Sequence, residues 1–353
     1  MKKMNIGLGC SGGTAAPMAA ACKYVVEEFS DAYNIWALPE CWRLMTGLTD
    51  EKCHMLTPED VKDWDKIGGS PYLPSCKNTN VFKISTGNNR VTDYSKKVRD
   101  FYESMHFHCV LYVGGGGTSM QIAELSKKYP ELHSEVLLAT MDNDVSCFDN
   151  CLGFKTAVQY NAETIVAGIS DAYTMQRPTL VFTMGYDTGK VALEAALRAQ
   201  EKTGKVNFVY LPESGRNADE FARYLKDNFK GKGTFVGVCS EGVCCSTGGA
   251  DGIHKKFDIS SFCKEVEEKS GIPFKVLQGD YRQRSGLPVA EDLELAKKYV
   301  KRAFELVSDG CWNQVIGGSN AGTLPCEFVG AVINQQDSVW TTWFNMAKPS
   351  IVL

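Results

Sequence analysis

The sequence predicts an α/β protein of two lobes, each a mostly parallel sheet sandwiched between helices. Three observations carry the prediction. A unit of strand, glycine-rich turn and helix recurs along the chain, and such alternation builds parallel sheets covered on both faces. Further apolar runs have strand length rather than helix length. The 353 residues exceed what a single core usually serves.

The elements follow in chain order. Ile6–Cys10 is a strand leading into Ser11-Gly-Gly-Thr-Ala-Ala-Pro17, and Met18–Phe29 has the apolar spacing of a helix. Residues 45–100 are polar and mixed, and are expected to form an insertion of helices and loops. Cys109–Val113 is a strand leading into Gly114-Gly-Gly-Gly-Thr-Ser119 and a helix through about Lys128. Val136-Leu-Leu-Ala-Thr140 has strand character and runs into Asp142 and Asp144. Thr179–Met184 leads into Gly185-Tyr-Asp-Thr-Gly189 and a helix through Arg198. Val206–Leu211, Thr234–Cys239 and Phe274–Leu277 complete the expected strands.

Composition excludes several classes. Hydrophobic residues are 44% and charged residues 23%, ordinary for a globular protein. A net charge of −4 gives no footprint for nucleic acid. No polybasic run points to an anionic membrane surface, and no 18-residue apolar stretch spans a bilayer. The first residues are too short and glycine-rich for a signal sequence, so a cytoplasmic location is expected. The 14 cysteines include no CxxC pair and no zinc-type spacing; many lie in apolar runs, where a reduced thiol packs as a small hydrophobe. His106 and His108 alternate before a strand, and ordinary edge positions suit them better than a metal site.

The chemistry-bearing feature is the pair Asp142 and Asp144 at the carboxyl end of a strand, where open α/β sheets bind ligands. Two acids so spaced can divide labour, one holding a divalent cation and the other accepting a proton from a hydroxyl. Asp-rich turns also occur without function. The glycine turns tilt the balance, because backbone N–H groups at a helix start suit phosphate. Neither turn fits the P-loop or the GxGxxG fingerprint. Two turns plus the acid pair point to phosphoryl chemistry.

The order of these motifs resembles the 6-phosphofructokinase family, best over residues 1–20 and 105–310. The resemblance rests on Ser11-Gly-Gly-Thr-Ala-Ala-Pro-Met18, Gly114-Gly-Gly-Gly-Thr118, Thr140-Met-Asp-Asn-Asp144 and Gly153-Phe-Lys-Thr-Ala157. It continues through Met184-Gly-Tyr186 with Gly189, Pro212-Glu213, and Gly279-Asp-Tyr-Arg-Gln-Arg-Ser-Gly-Leu-Pro288. The family's fold implies a nucleotide lobe of residues 1–153 and 284–335, and a sugar-phosphate lobe of 154–283 and 336–353. The match implies that Asp142 is the base toward the sugar 1-hydroxyl, with Thr140 beside it, and that Asp144 helps hold Mg²⁺. It implies a grip on fructose 6-phosphate by Arg284 and Lys275 of one subunit and Arg177 of a neighbour. Glu241, Met184, Gly185, Tyr186 and Tyr281 fall at other sugar contacts. Gly12, Gly13, Lys77, Gly115, Gly116, Gly117 and Thr118 fall at the phosphate donor.

The departures cluster on the donor side. Gly116 replaces the metal-anchoring aspartate of the family, so a weakened Mg²⁺ site is expected. Tyr186 stands for an arginine and Tyr281 for a histidine; Lys275 keeps a charge but loses the arginine fork. Gly117 and Ala139 replace the aspartate and lysine of pyrophosphate-using members, so ATP is the expected donor. The resemblance implies a dimer or tetramer with itself or a related subunit. Its alternative is a catalytically silent relative serving as a regulatory or structural subunit.

Overall fold

In the computed structural model the described residues are 3–77, 79–86, 90–186, 188–214, 218–229, 231, 234–246 and 256–332. They fall into two compact units. The first takes in the described residues up to 141, with 145–156 and 284–332; the second takes in 142–144 and the described part of 157–283. The expected return of residues 336–353 to the second lobe lies outside the described residues.

The first unit is built on a seven-stranded sheet in the order Gly322–Pro325, Gln314–Gly317, Ser134–Leu138, Phe107–Gly114, Met4–Ser11, Tyr33–Ala37, His54–Leu56. The five central strands are parallel, and each edge strand is antiparallel to its neighbour. Every residue of Ser134–Leu138 is buried, as expected of a strand covered on both faces. Trp42 and Tyr112 stack in the core with ring centroids 4.7 Å apart. The second unit has a four-stranded, all-parallel sheet in the order Lys275–Gln278, Pro178–Thr183, Phe235–Ser240, Phe208–Tyr210. Its core is aromatic, with Tyr210 stacked on Phe221 at 5.0 Å.

The α/β class of the sequence holds. Residues 45–100, expected as helices and loops, also supply the edge strand His54–Leu56 and a small hairpin of Ile84–Thr86 with Arg90–Thr92. Strands of three residues are too short to show alternation. The Asp-bearing strand ends at Leu138 rather than Thr140, because Ala139 leaves the ladder to bridge Leu152. His106 ends the helix Ser95–Met105 in the left-handed region, and His108 packs edge-on against Trp312 at 5.1 Å.

Glu135 makes the fold sensitive to pH. It is 0% exposed on the strand Ser134–Leu138, and its Oε2 accepts from Gln314 N at 3.1 Å. Burial pushes its carboxyl from 4.5 up to about 9, against the pull of backbone N–H donors from Gln314 and Asn313. The folded chain thus keeps a proton that the unfolded chain releases between those values. Stability is highest below the lower value and falls as pH rises toward the upper one, by at most about 1.4 kcal/mol per pH unit. Glu135→Gln should flatten that slope and raise the urea midpoint at pH 8. An unchanged slope in denaturation curves from pH 5 to 9 would show that Glu135 is ionised in the fold.

Candidate active site

In the first unit, the chain leaves the adjacent parallel strands Met4–Ser11 and Phe107–Gly114 toward opposite sides of the sheet. Ligands bind at such reversals. Both glycine turns begin there. Gly12 has φ +96°, open to glycine and costly for other residues. Its N–H donates to the Cys76 carbonyl at 2.9 Å, and Ser75 Oγ donates to its carbonyl at 2.9 Å. The backbone of Gly12 is therefore committed to the segment that carries exposed Lys77, and Gly13 is the outward part of the turn. A Cβ built on Gly13 would lie 3.8 Å from Arg284 Nη1, so the guanidinium stands over this turn.

The second turn opens the helix Gly116–Lys128, whose first N–H groups have no intrahelical acceptor. At Gly114 a Cβ would come within 2.5 Å of the Ser11 carbonyl and Thr118 Oγ1, so close packing requires glycine. At exposed Gly117 a Cβ would meet nothing within 4 Å. Thr118, expected among the donor contacts, is 2% exposed and turns its hydroxyl to the Ser11 carbonyl at 3.4 Å. Its side chain packs the two turns together. Thr140 stands beside Gly115, where a built Cβ would be 3.7 Å from its own Cβ.

In the second unit, Asn143 is 3% exposed with φ +52°, and this left-handed kink sets half-buried Asp142 and exposed Asp144 on either side. Thr188 Oγ1 donates to the Asp142 carbonyl at 3.1 Å, and Lys190 Nζ to the Asn143 carbonyl at 2.9 Å. Both come from the turn after the strand Pro178–Thr183. In that turn Tyr186 also has φ +52°, a strained setting for a bulky residue. Glu241, following the neighbouring strand Phe235–Ser240, accepts from Gly185 N at 3.2 Å and Tyr186 N at 3.1 Å. Gln283 is 1% exposed and accepts from Met184 N at 3.2 Å and Asn161 Nδ2 at 3.0 Å. Met184, Gly185, Tyr186, Glu241 and the two acids are thus gathered in one unit. Tyr281, two residues before Gln283, is 69% exposed.

Lys275, expected to act with Arg284, shares an acid with Arg177. Asp171 receives Lys275 Nζ at 3.0 Å and Arg177 Nη2 at 3.6 Å, and the lysine holds the Asp171 carboxyl below its usual range. Arg177 immediately precedes Pro178–Thr183, and Lys275 opens a strand aligned with its start, Lys275 opposite Thr179. Both sit at the amino edge of the sheet. Met184 follows the carboxyl end of the same six-residue strand, about 20 Å along at a strand's rise.

Gln283, Asn161, Thr188, Lys190 and Glu213, whose Oε1 accepts from Gly189 N at 2.8 Å, were not legible as site residues. Gln283 and Glu213 lie inside motifs that carried the resemblance, and that was the available signal. Among the described residues no group of three or more His, Cys, Asp or Glu is set to hold a metal ion. No helix of the described residues is long and apolar enough to cross a membrane.

Comparison with known proteins shows the family. The family model for phosphofructokinase matches residues 5–307. An ATP-dependent 6-phosphofructokinase from Halothermothrix orenii is 28% identical over 340 residues, covering 95% of this chain and 96% of that protein. One from Clostridioides difficile is 29% identical over 315 residues, covering 88% of each. The fold is similar to the T-state phosphofructokinase of Pichia pastoris, with a TM-score of 0.78 and 19% identity. That likeness covers 98% of this chain and 37% of the longer Pichia chain. It is also similar to a pyrophosphate-dependent phosphofructokinase from Marinobacter aquaeolei, with a TM-score of 0.75, 18% identity, and 92% and 83% coverage. The chain belongs to the phosphofructokinase family.

Proposed function

We propose that this protein is a 6-phosphofructokinase-type kinase of glycolysis, acting in the cytoplasm, which moves the terminal phosphoryl group of ATP to the 1-hydroxyl of fructose 6-phosphate. The observation that carries the reading is the aspartate loop. Asp142 and Asp144 flank a left-handed Asn143, and both intervening carbonyls are anchored by side chains of one turn. Such a loop presents a base and a second carboxylate without exposing unsatisfied backbone.

Phosphoryl transfer needs positioning and charge neutralisation more than covalent help. Asp142 takes the proton from the sugar 1-hydroxyl. The sugar oxygen bonds to the γ-phosphorus as the bond to the β–γ bridging oxygen breaks, and ADP leaves with that electron pair. Glu241 and the Met184–Tyr186 turn orient the sugar, and Arg284 counters phosphate charge. Arg177 and Lys275, held together on Asp171, serve the sugar phosphate of a neighbouring subunit in a dimer or tetramer.

Mg²⁺ is usually bound by one or two carboxylates, with phosphates and water completing the shell. Exposed Asp144 would supply one such carboxylate; Gly116, at the position where the family has a metal-anchoring aspartate, would supply none, and on this reading Mg²⁺ is held more weakly. Bound with the nucleotide, Mg²⁺ would neutralise charge developing on the phosphates. Open space at Gly117 and the small Ala139 favour ATP over pyrophosphate.

A coupled assay with purified protein, fructose 6-phosphate, Mg²⁺ and either donor tests the reading. Sugar-dependent ADP formation at about 1–100 s⁻¹ is expected. Faster turnover with pyrophosphate would overturn the donor assignment, and no turnover with either would overturn the kinase assignment.

A further inference from the structure

We infer that Lys190 is a positioning residue for phosphoryl transfer, holding the Asp142–Asp144 loop in its reactive shape; this rests on the kinase reading above. Lys190 is the first residue of the helix Lys190–Thr203 and is 6% exposed. Its ammonium donates to the Asn143 carbonyl at 2.9 Å. Two residues earlier, Thr188 Oγ1 donates to the Asp142 carbonyl at 3.1 Å. One turn therefore grips successive carbonyls of the loop. Asn143 lies at φ +52° with 3% exposure, a conformation that persists only where its surroundings enforce it.

Burial disfavours an ammonium unless its donors are used. The positive end of a helix also disfavours a cation in the first turn, and no acidic residue occupies that turn to offset it. Glu213 fixes the helix start from the other side, accepting from Gly189 N at 2.8 Å. The buried ammonium thus ties the start of this helix to the acid loop, and its bond to the Asn143 carbonyl helps set the geometry of that loop. Asp142 removes a proton only while it faces the sugar hydroxyl. A loosened loop spends less time in that geometry, which lowers kcat and leaves substrate binding in place.

Lys190→Met keeps the length of the side chain and removes its charge and donors. In this variant kcat should fall roughly 10- to 100-fold, with KM for fructose 6-phosphate and for ATP within about twofold of the natural values. Hydrogen exchange at the amides of residues 143–145 should quicken at least about tenfold, while protection elsewhere in the second unit is kept. Unchanged exchange together with unchanged kcat would overturn the inference. So would a lowered urea midpoint with protection lost throughout the second unit, which is the mark of a merely structural lysine. If the natural protein does not phosphorylate fructose 6-phosphate, the kinase reading fails by itself. Exchange at residues 143–145 then decides the role of Lys190, faster exchange supporting it and unchanged exchange refuting it.

Discussion

Asp142→Asn is expected to lower kcat at least about 10²-fold, the usual loss when a general base is removed. Asparagine has the same size and keeps the backbone carbonyl that Thr188 Oγ1 holds at 3.1 Å. The loop should therefore keep its shape, and the urea midpoint should stay close to that of the natural protein. Because an amide cannot accept the hydroxyl proton, the loss belongs to the transition state. KM for fructose 6-phosphate should change little, and kcat/KM should fall in step with kcat. Steady-state kinetics on both proteins check this. Undiminished turnover in the asparagine variant would show that another group takes the proton.

Gly116→Asp should strengthen binding of Mg-ATP by roughly tenfold, since it adds a hard, charged oxygen where the natural chain has none. The substitution suits the local structure. Residue 116 opens the helix Gly116–Lys128, and an acidic side chain in a first turn interacts favourably with the positive helix end. Affinity for fructose 6-phosphate, measured without nucleotide, should not move, because residue 116 is not among the expected sugar contacts. Calorimetry with each ligand on both proteins separates the two effects. Tight Mg-ATP binding by the natural protein, with no gain from the aspartate, would contradict a weakened metal site.

Much of this was legible in the sequence where local pattern decides the outcome. The helix Met18–Phe29 has the bounds its apolar spacing gives. The strand before Gly114 and the helix ending at Lys128 also follow their patterns. The match at Gly153–Ala157 was legible as a motif without its cause. Asp292, far along the chain, accepts from Gly153 N at 3.2 Å, Thr156 N at 2.8 Å and Thr156 Oγ1 at 2.6 Å. The motif therefore anchors the start of a long helix.

What failed to show was set by distant pairing. The nearness of Lys275 to Arg177 was not legible because the register of Lys275–Gln278 against Pro178–Thr183 depends on strands about a hundred residues apart in the sequence. Gln283 carries no charge and so attracted no role, yet its buried amide links Met184 to Asn161. Lys190 follows the Gly185–Gly189 turn with no motif of its own; only its burial and its bond to Asn143 give it a place.

The central claim is that this chain transfers phosphate to the 1-position of fructose 6-phosphate. Phosphorus NMR of a single tube holding the natural protein, Mg²⁺, ATP and fructose 6-phosphate tests it most directly. The account predicts a new phosphate-ester resonance on C1, growing in equal amount with ADP as the γ-phosphate signal of ATP disappears. Persistence of ATP and fructose 6-phosphate unchanged, with the sugar phosphate still bound by the protein, would contradict it and would identify a catalytically silent member of the family.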